Sequence, residues 1–299
     1  GRLLLASVLR DFSWYRLCYL VMKVRHRAKG CNMYNVSAED RFLFDLKGFL
    51  LLSEVLSRTE CEHYLRRLEE AENRDYPDKW LGSLGVGQKG RPTKEVNKEN
   101  QIRLNGLLRL DPVFDELIDH SRVLPYLKEF VGLPQLINTW SISKFCGAVH
   151  SGWHRGVPTS DYTFGTGEIR SRMFNVVWFL TDNGPEDGCI VALPGSHKSN
   201  VDLPFDDYDG LELPGSEAVV GRAGDVLMFS ETVVHNGLLK TSSGTRSNLY
   251  YNYAHAHYNV MSREPNNCHH FYLPPDLRKR LTPERRELTK WMELARWEY

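Results

Sequence analysis

The sequence lacks an excess of charge of either sign: its 38 Lys and Arg residues balance 38 Asp and Glu residues over 299 positions. A balanced chain has no long-range positive field to attract nucleic acids or anionic membrane surfaces. We therefore predict a small-molecule partner and no nucleic acid. The sequence also contains no internal repeat and no low-complexity tract, which favours a globular domain with helical elaborations.

Paired cysteines and long apolar runs are missing as well. The six cysteines show no CxxC spacing, which argues against a zinc finger and favours reduced thiols inside a cell. Segments 3–8 and 18–22 are apolar, but Arg10, Asp11 and Arg16 interrupt them. A membrane span needs roughly 20 apolar residues. We therefore predict no membrane span and a cytoplasmic location.

Short apolar segments separated by turn residues dominate the chain from residue 137 onward. They lie at 137–145, 173–181, 189–193, 225–230 and 246–254. Residues 185–188, with sequence PEDG, read as a hairpin turn between two of them, which favours antiparallel β-structure. We predict a mainly β fold with flanking helices, in which residues 1–46 form an N-terminal helical extension and residues 47–299 the catalytic domain.

Helices are predicted on either side of this β-rich region. Ser57 and Glu60 have the spacing of a capping box and predict a helix reaching about residue 72, after a short strand at 48–52. Apolar periodicity predicts a second helix over 111–131. Thr282 followed by Pro283 marks the start of a closing helix that continues to the C-terminus.

Two histidines and one arginine form the strongest chemical pattern. His154 lies in the segment WHRG, His235 follows the strand at 225–230, and Arg246 opens the next strand. Imidazole nitrogens suit Fe(II), and an arginine fork binds the distal carboxylate of a 2-oxo acid that chelates the iron. The pattern therefore predicts an iron site with His154 and His235 as ligands and Arg246 as a cosubstrate anchor.

The motifs from about residue 48 to residue 256 resemble the phytanoyl-CoA dioxygenase family. They are WFLTD at 178–182, DGC at 187–189, LPGSHK at 193–198, Gly224-Asp225, and the pair His235 and Arg246. The resemblance implies a double-stranded β-helix of the jelly-roll, cupin-like kind. It also implies that His154 and His235 bind Fe(II), that Arg246 holds 2-oxoglutarate, that Trp178 lines the same pocket, and that the enzyme activates O₂ against a C–H bond.

The chain departs from the family pattern at Gly156. Members of the family that hydroxylate carry an aspartate two residues after the first histidine, which completes two imidazoles and one carboxylate around iron. Glycine leaves that position open for an anion such as chloride, as in related aliphatic halogenases, so we predict halogenation slightly ahead of hydroxylation. In the hydroxylase alternative, water or a nearby carboxylate, with Asp161 and Glu168 as candidates, replaces the aspartate.

Two further alternatives remain at the level of sequence. In the first alternative, the chain is a metal-free binding protein on the same scaffold. In the second, Gly156 results from an engineered Asp-to-Gly change. Other polar residues have simpler interpretations: Asp225 is typical of a turn that enters a strand, and His255 and His257 share one strand face without a third ligand.

Overall fold

The computed structural model describes residues 35–76, 93–97, 100–149, 152–165, 167–201, 208–258, 273–290 and 292. They belong to one compact unit, Tyr34–Tyr299. The apolar segments at 3–8 and 18–22 lie outside the described residues, and the predicted domain boundary at residue 46 stays a prediction. Within the described ranges, no helix is both long and apolar enough to cross a membrane.

Twelve strands and six α-helices make up the described chain. The strands are β1 (Phe49–Leu52), β2 (Thr93–Asn97), β3 (Gln101–Asn105), β4 (Pro134–Lys144), β5 (Tyr162–Gly165), β6 (Glu168–Ser171), β7 (Met173–Phe179), β8 (Ile190–Ala192), β9 (Glu217–Ala218), β10 (Val226–Ser230), β11 (His235–Gly237) and β12 (Arg246–His255). The helices are α1 (Ala38–Lys47), α2 (Arg58–Glu72), α3 (Leu107–Leu110), α4 (Leu124–Phe130), α5 (Pro275–Arg280) and α6 (Pro283–Leu288).

The strands form one large sheet, one small sheet and a hairpin. The large sheet has seven strands in the order β1-β10-β7-β12-β4-β3-β2, the small sheet has the order β11-β8-β9, and β5 pairs with β6. Every pairing between them is antiparallel. The predicted mainly β class with flanking helices is confirmed, and its description as a double-stranded β-helix stays an expectation of the resemblance.

The two faces of the large sheet carry different residues because strand side chains alternate. On β12, Leu249, Tyr251 and Tyr253 join a core shared with the helices, and we call this side the helix face. Tyr250 of the same strand joins a second apolar cluster with Ile190 of β8, and we call this side the inner face. The small sheet therefore contributes to the inner face.

Sequence predictions of individual elements mostly agree with the structure. The predicted strands correspond to β1, β4, β7, β8, β10 and β12, and the Ser57–Glu60 capping box opens α2 as expected. The hairpin predicted at 185–188 is wrong, because the strands on either side of this turn, β7 and β8, belong to different sheets. Thr282 caps α6, with Pro283 as its first residue, but α6 ends at Leu288 and does not run on to the C-terminus as predicted. The single helix predicted over 111–131 is wrong: a 3-10 helix, Pro112–Leu117, and then α4 replace it.

Candidate active site

His154 and His235 lie opposite each other across an isolated antiparallel bridge. The backbone N–H of His154 donates to the carbonyl of His235 at 3.0 Å, and the reverse bond measures 2.9 Å. The centroids of the two imidazole rings are 4.3 Å apart. The pairing thus brings together two residues that lie far apart in the sequence.

Both rings have the orientation of a metal ligand. The Nδ1 atom of His154 lies 2.9 Å from the carbonyl oxygen of Gly152, and that of His235 lies 2.9 Å from the carbonyl oxygen of Val233. Because a carbonyl only accepts, each Nδ1 carries the proton and each Nε2 keeps its lone pair for a metal. Burial, followed by the neighbouring His154, lowers the pKa of His235 to about 3, so this imidazole is neutral at physiological pH.

Arg246 is a buried cation on the inner face of the large sheet. Its Nη2 donates to the carbonyl of Gly188 at 2.8 Å, and Nη1 donates to Asn248 Oδ1 at 2.8 Å when that amide is oriented to accept. Its Nε is buried without a hydrogen-bond partner, and no Asp or Glu of the described ranges forms an ion pair with the guanidinium. A buried charge without a counter-ion is costly, so the site suits an anionic ligand.

A second cation reinforces this interpretation. Lys144 lies directly opposite Arg246 in the pairing of β4 with β12, and its Nζ donates to the carbonyl of Leu238 at 3.3 Å. Both side chains are cations, so this end of the pairing of β4 with β12 can attract a carboxylate. Sequence analysis did not identify Lys144. A lysine near the end of a predicted strand is the local signal for it, and its position opposite Arg246 follows only from the strand pairing.

The residue that contacts Gly156 is Glu231, and it was not identified from the sequence. An ideal Cβ placed on Gly156 would stand 2.9 Å from Glu231 Cδ and closer still to Oε2. The predicted carboxylate candidates lie elsewhere: Asp161 accepts from the Tyr258 hydroxyl at 2.5 Å, and Glu168 is exposed on β6. Glu231 follows the apolar strand β10, where an acidic residue before His235 is the available sequence signal.

Two amides hold the carboxylate of Glu231. Its Oε1 accepts from the side-chain amides of Asn175 and Asn252, the latter at 3.1 Å. Both asparagines lie on the inner face, and they oppose each other in the pairing of β7 with β12. Burial raises the pKa of Glu231 to about 7, and the two amide hydrogen bonds act in the opposite direction.

The structure does not place Trp178 beside these groups. The indole lies on the helix face, with ring centroids 5.2 Å from His120 and 6.4 Å from Tyr251, both near right angles. Its neighbours Val177 and Phe179 occupy the inner face instead. The expectation that Trp178 lines the pocket is therefore corrected, because alternation along β7 turns the indole the other way.

The simpler interpretations hold for the remaining polar residues. The carboxylate of Asp225 accepts from the backbone N–H of Glu54 at 2.9 Å and of Arg222 at 2.8 Å, as a turn residue does. His255 Nδ1 accepts from the N–H of His257 at 3.1 Å. In the part of the chain that the structure describes, no three His, Cys, Asp or Glu side chains are gathered closely enough to hold a metal as they stand.

Residues 44–248 match the sequence profile of the family described as phytanoyl-CoA dioxygenase. The chain is also similar to an ectoine dioxygenase of Nocardia farcinica, with 23% identity over 72% of this chain and 76% of that protein. It is similar to dioxygenase af480 of Aspergillus fumigatus, with 25% identity over 81% of this chain and 72% of that protein.

A solved structure with a similar fold is HygX of Streptomyces hygroscopicus, which was crystallised with nickel and 2-oxoglutarate. The TM-score is 0.60 and the identity 22%, over 75% of this chain and 89% of HygX. The carbocyclase SnoK of nogalamycin biosynthesis has a TM-score of 0.55 and 20% identity, over 77% of this chain and 88% of SnoK. At these identities the likeness concerns the fold.

Proposed function

Because this chain belongs to the phytanoyl-CoA dioxygenase family, we propose that it is an Fe(II)- and 2-oxoglutarate-dependent oxygenase acting on a C–H bond of a small molecule. The observation that carries the proposal is the pair His154 and His235, whose Nδ1 atoms are both engaged by carbonyls and whose Nε2 atoms are left for a metal. Similarity to HygX supports the double-stranded β-helix arrangement that the sequence predicts.

Each group has a separate task in this proposal. His154 and His235 would hold the iron, and Arg246, with Lys144 opposite, would bind the distal carboxylate of 2-oxoglutarate. Bound iron and 2-oxoglutarate supply the activation of O₂. The Phe229 ring packs edge-on against that of His235, with the ring centroids 4.8 Å apart, and would help to hold that imidazole in place.

Hydroxylation is favoured over halogenation by the contents of the space beside Gly156. The sequence argument for halogenation requires that space to be open for chloride. The side chain of Glu231 lies within it, so lack of room opposes chloride binding, and the deprotonated carboxylate would also repel a halide. We therefore propose that the product is hydroxylated or otherwise oxidised without halide transfer.

A metal-free binding protein on the same scaffold is the second class that the sequence leaves open. Such a protein has no need for two adjacent imidazoles with free Nε2 atoms and a buried arginine without an acidic partner among the described residues. A buried arginine without an acidic partner lowers the stability of the protein unless an anionic ligand binds.

Anaerobic addition of Fe(II) and 2-oxoglutarate tests the proposal. We expect a visible metal-to-ligand charge-transfer band that is unchanged by chloride, and succinate release when O₂ and a substrate are supplied. His235→Ala should abolish both the band and iron retention. Absence of the band in the unaltered protein would favour the hypothesis of a metal-free binding protein. A band that shifts with chloride would favour halogenation over hydroxylation.

A further inference from the structure

We infer that Glu231 supplies the carboxylate ligand that the motif lacks at Gly156. The ligand would then come from the residue four positions before the second histidine, rather than from the residue two positions after the first. This inference rests on the proposed function, because it requires that His154 and His235 bind iron.

The backbone places Glu231 directly across from Gly156. The N–H groups of Gly156 and Val157 donate to the carbonyl of Glu231 at 2.8 and 3.3 Å. The same two segments then meet again at the His154–His235 bridge. Because one pairing of two segments holds all of these residues, the glutamate and the histidines are positioned together by the backbone.

The side chain of Glu231 and a Cβ at residue 156 exclude each other. An ideal Cβ on Gly156 would approach Glu231 Cδ to 2.9 Å, with Oε2 nearer still, and real Cβ atoms do not come so close. Gly156 is not among the residues with positive φ, so its backbone is one that other residues adopt. A side chain at residue 156 would therefore have to displace the carboxylate that occupies the space beside the glycine.

The hydrogen bonds of Glu231 leave one oxygen for a metal. Asn175 and Asn252 both donate to Oε1, so Oε2 is the oxygen that faces Gly156. No Lys, Arg or His side chain of the described residues forms an ion pair with this buried carboxylate. A buried carboxylate with neutral donors on one oxygen and none on the other is satisfied by a divalent cation.

Metal binding requires a small rearrangement. No three ligand side chains are gathered closely enough within the described residues, so the carboxylate of Glu231 must rotate toward the two Nε2 atoms as the metal binds. The backbone atoms of the two segments are already paired, so the rearrangement that we infer is one of side chains.

Co(II) binding to single and double variants tests the inference. Glu231→Gln keeps the size of the side chain and removes its charge, and we expect it to weaken Co(II) binding by about tenfold or more. Gly156→Asp alone should also weaken binding, because its carboxylate collides with Glu231. The double variant Gly156→Asp with Glu231→Ala should recover Co(II) affinity to within about tenfold of the unaltered protein. The change at residue 231 clears the space beside residue 156, and the change at residue 156 supplies the carboxylate that the other change removes.

Controls separate the possible failures. Glu72→Gln removes another buried carboxylate, on helix α2, and should leave Co(II) affinity unchanged. If Glu231→Gln folds and binds Co(II) as tightly as the unaltered protein while His235→Ala does not bind, this inference fails and the proposed function stands. If His154→Ala and His235→Ala also bind normally, the proposed function fails. If Glu231→Gln does not fold, a folded double variant without Co(II) affinity still overturns the inference.

Discussion

The helix face and the inner face of the large sheet are built from the same strands but carry different chemistry. On the helix face, β7 and β12 present Trp178, Tyr251 and Tyr253 to an apolar core. On the inner face, the alternate residues of the same strands include Asn175, Asn252 and Arg246. A strand therefore stabilises the fold with one set of side chains and forms the site with the other, and substitutions on the two faces should separate stability from ligand binding.

The largest expected effect tests the helix face. Trp178→Ala removes a fully buried indole and should lower the free energy of unfolding by about 3–5 kcal/mol. Chemical denaturation measures this change. Co(II) and 2-oxoglutarate affinities of the folded variant should stay the same, because the indole lies away from the inner face. If the variant loses 2-oxoglutarate binding but keeps normal stability, the result would support the expectation that Trp178 lines the pocket.

Glu72 is a polar exception on the helix face, and its effect depends on pH. Its carboxylate accepts from the Ser143 hydroxyl at 2.6 Å, and burial raises its pKa to about 7 from an ordinary value near 4.5. Since the unfolded chain releases this proton first, the stability contributed by protonated Glu72 is complete below about pH 4.5 and is lost as pH rises to about 7.

Glu72→Gln should remove this dependence. We expect the variant to be more stable than the unaltered protein at pH 8 by at most about 3 kcal/mol, with little difference at pH 4. Urea unfolding across this pH range measures both values. An unaltered protein whose stability does not fall between pH 4.5 and 7 relative to the variant would contradict the assignment.

Arg246→Lys tests the inner face. A lysine keeps the charge but lacks the planar fork that reaches both the Gly188 carbonyl and Asn248. We expect 2-oxoglutarate to bind about 10- to 100-fold more weakly, as measured by titration of the charge-transfer band. Co(II) affinity without 2-oxoglutarate serves as the control and should not change. If Arg246→Lys binds 2-oxoglutarate as tightly as the unaltered protein does, Arg246 does not anchor this cosubstrate.

The smallest expected effect concerns the N-terminus of α2. The Ser57 hydroxyl accepts from the N–H of Glu60 at 3.2 Å, so Ser57→Ala should lower stability by about 1 kcal/mol without affecting ligands. Ser53→Ala is a suitable control, because Ser53 is exposed and its hydroxyl forms no hydrogen bond within the described residues. If Ser57→Ala lowers stability no more than Ser53→Ala, the cap does not stabilise the helix.

Local patterns in the sequence predicted much of the fold. Short apolar segments separated by turn residues located β4, β7, β10 and β12, and the capping residues Ser57 and Thr282 located two helix starts. These predictions succeed because each depends on neighbours within a few positions. The interval 111–131 failed because apolar periodicity does not distinguish one helix from a 3-10 turn followed by a shorter helix.

The site was only partly predictable. The sequence identified His154, His235 and Arg246 by residue type, and the structure brings the two histidines together and buries the arginine on the inner face. It did not identify Glu231 or Lys144, and the expectation that Trp178 lines the pocket does not agree with the position of the indole on the helix face. Each of these depends on which strand lies opposite which, or on the direction of a side chain.

The amino-acid sequence by itself determined the strands, the helix caps, the family and the absence of an aspartate at residue 156. Tertiary structure alone decided what lies in the space beside Gly156. Glu231 lies 75 positions after Gly156 in the chain, and no local sequence pattern connects the two residues. Only antiparallel pairing of the two segments brings the carboxylate against the glycine, because backbone hydrogen bonds fix which distant residues share a position in space.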